Sequence, residues 1–186
     1  MALRIKSRWH DDDADRSLEE IASALAFISW RIAKDKAINL HGEDFIYEND
    51  EQRMAVITEY LLFQLQIVDR IAHLHLELDD KDRRQLVIKL AKHLAGHLQE
   101  NCSEILGMGD YVKPFVEKMN TRSTEYAEYN YSKDGPSYPF MRHLGYEIQQ
   151  VMGKTQENRW VIDQVMDKDG VEVDKEIRKA INNLFE

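Results

Sequence analysis

Between Glu51 and Leu78 apolar residues recur so densely that a helix over this stretch must be covered by other chain on most of its circumference. At about 100° per residue, Met54, Ile57, Tyr60, Leu61, Val68, Ile71 and Ala72 form one wide apolar arc, and Glu59, Gln66, Asp69, Arg70, His73 and Glu77 fall opposite. The pattern predicts a central post in an all-α bundle. Gln64 and His75 interrupt the arc, and each requires a buried partner or an opening in the core.

At 186 residues the chain suits one domain, large enough to bury roughly 70% of the surface its unfolded form exposes. Cys102 is the only cysteine, which excludes an internal disulfide and a multi-thiolate zinc site and agrees with a reducing compartment. The start, Met1 to Arg8, is basic and runs into Trp9-His10-Asp11-Asp12-Asp13, where a secretory signal would need an apolar run, so the expected location is cytoplasmic. Ile21–Trp30 and Tyr60–Val68 fall short of the ~18 to 20 apolar residues of a membrane span, and no membrane partner is expected. A net charge of −9 repels a phosphate backbone. The basic cluster of Lys81, Arg83, Arg84, Lys89 and Lys92 is interleaved with Asp79, Asp80 and Asp82 and has no aromatic partners, so nucleic acid is not expected either.

Residues 1–16 read as a polar arm and 17–186 as a single all-helical domain of about six to seven helices. Ser17-Leu18-Glu19-Glu20 has the form of a capping box, opening a first helix that runs to about Leu40 and stops at His41-Gly42-Glu43-Asp44. Asn49 or Asp50 caps the central helix, about 50–78, which pairs as an antiparallel hairpin with a third helix over 82–106. Asp110 and Pro114 open a fourth helix through Tyr126, and Lys133-Asp134-Gly135-Pro136 is turn chemistry. A fifth helix spans about 138–152, a sixth runs from Thr155 through Met166, and Asp174 caps a seventh.

Few patterns carry chemistry. Glu48-x-x-Glu51 and Glu77-x-x-Asp80 have a spacing that resembles the magnesium motif of all-α nucleoside triphosphate pyrophosphohydrolases, but along one helix Glu51 and Glu77 stand ~39 Å apart and cannot share an ion. His10-Asp11 is similar to the dyad of another all-α phosphohydrolase class, yet no histidine precedes it. Asp167, Asp169, Gly170 and Glu176 resemble part of an EF-hand loop, with Val165 standing where the first ligand belongs. His93-x-x-x-His97 puts two imidazoles on one helix face at metal-site spacing, and the hairpin register offers Asp69, Gln66 or Glu59 as an oxygen ligand, with Asp69 the candidate third member. Glu-x-x-His pairs of the di-iron bundles are absent, and His143 and Glu147 read as a surface pair.

The leading expectation is a non-enzymatic interaction, adaptor or chaperone-like protein that acts by contact with a protein partner or, as a homodimer, with itself. Phe27 and Trp30 stand off the main stripe of the first helix, and Tyr129, Tyr131 and Tyr138 concentrate near the turn, where tyrosines favour interfaces. No cofactor is expected. The alternative is a metal, haem or small-molecule binder using the histidines of helices two and three, and a metal-dependent phosphohydrolase is third.

Overall fold

The computed structural model describes residues 17–42, 45–76, 78–155 and 157–185. The arm over 1–16, with His10-Asp11, lies outside the described residues, as do Glu43, Asp44 and Glu77. The chain forms a compact all-α bundle of packed helices.

The capping box at Ser17 forms as read: its backbone N–H donates to Glu20 Oε2 at 2.8 Å and its Oγ accepts from the Glu20 N–H at 3.3 Å, opening α1 (Leu18–Gly42). Asn49 Oδ1 accepts from the Gln52 N–H and starts α2 (Asp50–Leu74), and Asp79 does the same for α3 (Asp80–Leu106). Asp110 Oδ1 accepts from the N–H groups of Val112 and Lys113 at the head of α4 (Val112–Ala127). A two-residue antiparallel ladder follows, β1 (Tyr131–Ser132) on β2 (Gly135–Pro136), with Gly135 at φ 129° where a side chain would be strained. Ser137 caps α5 (Tyr138–Met152). After an irregular stretch the chain becomes helical again as α6 (Val161–Gln164), passes through one π-helical turn (Val165–Asp169) and continues as α7 (Gly170–Phe185).

The central position of α2 follows from its neighbours: α1, α3, α4, α5 and α7 all pack on it. Every residue from Val56 to Val68 is buried, so the helix has no solvent face over that length. Glu59 and Gln66, placed opposite the apolar arc by their spacing, are therefore buried too, and each finds its partner on α4. At the crowded end of the core Phe140 lies among Phe63, Tyr126 and Tyr131 with ring centroids 4.6 to 5.7 Å away. Gly145 lets α5 approach α6, since a Cβ there would stand 2.8 Å from the Ile162 carbonyl oxygen.

Several expectations need correction, among them the sixth helix, which begins at Val161 rather than at Thr155. The central helix stops at Leu74 rather than at 78, and His75 is its exposed C-cap beside Arg178, outside the core that its spacing assigned it. The break between the sixth and seventh helices is absent. Gly170 has helical φ and Asp174 is buried, accepting from Tyr131 and Arg178 instead of capping a helix, so no calcium loop exists there. His143 and Glu147 face α4 and are largely covered, which removes them from the surface.

Gln64 is fully buried, as the arc required, and its amide donates to the carbonyls of Ser29 and Tyr60, both at 3.1 Å. Those two carbonyls fix the amide orientation and, among the described residues, leave Gln64 Oε1 without a donor and the hydroxyl of Ser29, also 0% exposed, without a partner. An unpaired buried hydroxyl costs about 1–3 kcal/mol. Ser29→Ala is expected to stabilise the protein by roughly 1 kcal/mol, read as a rise of about 2–4 °C in Tm. A fall in Tm would show that this hydroxyl is satisfied in solution.

Candidate functional site

The helix–helix contact that α1 makes with α3 is the most extensive in the bundle, and it brings together residues that stand ~70 apart in sequence. Along its outer side runs an open groove of about 690 Å³, lined by Glu19, Glu20, Ser23, Ala24, Phe27, His93 and His97. Phe27 is 61% exposed on its wall. Trp30, one helical step further on, is half-buried and stacks on His97 with centroids 6.2 Å apart and planes 29° from parallel. Glu19 sits between Lys89 and His93, 2.5 Å from Lys89 Nζ and 2.7 Å from His93 Nε2, and the hydrogen bond from Lys89, then that of His93, lowers its carboxyl below the usual range. The histidines thus face α1, where the hairpin register had turned them toward α2. Asp69 does not join them. It pairs with Arg83 at 3.6 Å, about 15 Å along α3 from His93.

The aromatic candidates beyond the groove separate. Tyr138 is 65% exposed, Tyr129 is half-buried against the His143 ring, and Tyr131 is taken into the core, where its hydroxyl donates to Asp174 at 2.7 Å. Tyr131 therefore offers no surface to a partner.

A second constellation was not legible as a unit. Arg122 on α4 donates from Nε and Nη2 to the two oxygens of Glu59 on α2, at 2.8 and 2.9 Å, which is a bidentate pairing. Its Nη1 reaches Glu125 at 2.7 Å, and Nη2 also reaches Glu147 on α5. Lys118 adds a 3.1 Å contact to Glu59, and His143 Nε2 lies 3.0 Å from Glu125 Oε2. Burial raises the Glu147 carboxyl despite Arg122, whereas at the more exposed Glu125 burial again pushes up but the contacts of Arg122 and His143 together lower it. Among the described residues, Glu125, His143 and Glu147 are the group of three donor side chains close enough to share an ion, with one atom of each within 4.8 Å of the others.

The π-turn carries a third feature. Asp169 is buried and accepts from the Tyr60 hydroxyl at 2.8 Å, while the buried Lys36 pairs with Glu172. Burial holds the Asp169 carboxyl above its ordinary range, with Tyr60 and Lys36 pulling it back down. A cleft of about 450 Å³ opens over these side chains, with Asn39 and Gln164 at its edge.

Comparison with protein families, with curated proteins and with solved structures finds no match for this chain. Among the described residues no helix is long and apolar enough to cross a membrane.

Proposed function

We propose that this is a protein that acts by contact and that its α1/α3 face joins it to a second copy of itself. The observation that carries this reading is the exposure of Phe27 beside a trough of small side chains, Ser23 and Ala24, on the same face. A two-fold axis needs one surface to supply both knob and hole, and this face has both. Charge agrees with self-contact here. The molecule as a whole carries −9, yet on this face Glu19 is already paired with Lys89.

Area agrees as well. A helix of 25 residues is about 37 Å long, and two helices side by side are roughly 20 Å wide, giving a face on the order of 700 Å² against ~800 Å² per partner in a typical stable interface. Sedimentation at several concentrations tests it. The wild type is expected to form a dimer that Phe27→Glu weakens at least tenfold with helicity unchanged, because a side chain this exposed contributes little to the monomer fold. A wild type that sediments as a monomer at every concentration would overturn self-association, and the face would then be probed with basic amphipathic helices.

A further inference from the structure

We infer that Glu125, His143 and Glu147 form a binding site for a divalent transition-metal ion that ties α4 to α5. The donor set is one imidazole nitrogen and two carboxylate oxygens, which suits zinc, cobalt, manganese or ferrous iron and leaves a coordination position open. His143 and Glu147 stand i, i+4 on one face of α5, and Glu125 reaches them from α4.

Metal bonds of about 2.1 Å place tetrahedral ligands roughly 3.4 Å apart, so a triangle of donor atoms within 4.8 Å closes by small side-chain rotations. Rotation is available because the lone pairs are. Arg122 takes Oε2 of both Glu125 and Glu147, and His143 also meets Glu125 at Oε2; among the described residues no hydrogen bond reaches Oε1 of either glutamate. An ion held by one oxygen of each glutamate and a ring nitrogen of His143 takes over the contact that His143 makes with Glu125, with Arg122 beside the carboxylates as an outer partner that orients them.

Electrostatics points the same way. Three carboxylates, Glu59, Glu125 and Glu147, converge at a largely covered position on Arg122, Lys118 and the His143 ring. The His143 ring is held between Tyr126, edge-on at 4.8 Å, and Tyr129 at 5.4 Å, while the more exposed Glu125 leaves a way in from solvent.

The experiment titrates cobalt(II) into metal-free full-length protein and follows visible absorption, with circular dichroism melts beside it. One saturable equivalent is expected, displaced by zinc. His143→Ala and Glu125→Gln should each weaken it at least tenfold while melting cooperatively, and cobalt should raise the Tm of the wild type but not of His143→Ala. The paired substitution His93→Ala with His97→Ala should bind as the wild type does. No saturable cobalt binding, or binding that survives His143→Ala and is lost with His93 and His97, would overturn the assignment.

Discussion

Arg122→Ala is expected to cost about 3–5 kcal/mol, because it leaves the Glu59 carboxyl group, 2% exposed, short of its bidentate partner. Lys118 alone, at one oxygen, replaces only part of what is lost. The loss also removes the link between three helices, since the same guanidinium reaches Glu125 on its own helix and Glu147 on α5. In a chain of this length the expected fall in Tm is roughly 10 °C.

The pH dependence has a definite sign. Glu147 has a raised pKa in the folded protein, so its contribution is fully present below the unfolded carboxylate range and is lost as pH rises through its folded value. Removing Arg122 takes away a charge that holds that value down, so the variant loses more on the alkaline side. Glu125 is lowered by Arg122 and His143 against its burial, so the wild type carries a contribution above the carboxylate range that disappears on acidification and that the variant loses in part. Both effects make the difference between wild type and variant largest near pH 7 and smaller near about pH 4. Urea unfolding at the two values decides it. A deficit under ~1 kcal/mol at both would mean that solvent screens the network and that Glu59 is wet.

Phe140→Ala is the second large effect, again about 3–5 kcal/mol. Phe140 is 0% exposed and touches the rings of Phe63 on α2, Tyr126 on α4 and Tyr131 on β1. Truncation opens a cavity bounded by three separate elements, which cannot all collapse into it, and forfeits aromatic contacts worth ~0.5–1.5 kcal/mol each. Phe140→Leu should cost less than half as much. Equal losses for the two variants in urea unfolding would show that ring geometry, not volume, dominates there.

Much of the architecture was legible because it rests on local rules. Ser17 and Asn49 announce helix starts through side-chain oxygens within three residues of the N–H they satisfy, and Asp79 and Ser137, not read as caps from the sequence, follow the same rule. The dense apolar run of α2 identified its central place. What a single helical wheel cannot show is a polar residue buried by a partner from afar. Glu59 is covered only because Arg122, on a helix two elements later, neutralises it. The same reason hid His143 and Glu147, whose spacing reads as a solvated pair until α4 is laid across them. The groove was half visible: Phe27, Trp30, His93 and His97 each stood out, but only the packing of α1 on α3 puts the aromatic and histidine candidates on one face.

The π-turn has a consequence for how the length of this chain can vary. In an unbroken α-helix Val161 and Val165 would stand about 100° away from the stripe of Val173, Ile177, Ala180 and Leu184, yet all six are buried. The extra residue that a π-turn absorbs brings the two stripes into phase. Loss of one residue from an ordinary turn rotates everything beyond it out of the core. Between Val165 and Asp169 a second slip moves the phase again: a deletion swings the α7 stripe by one residue unless the bulge relaxes to an α-turn, which restores it. That segment is thus the seam at which the C-terminal helix can shorten by one residue and still present the same face inward.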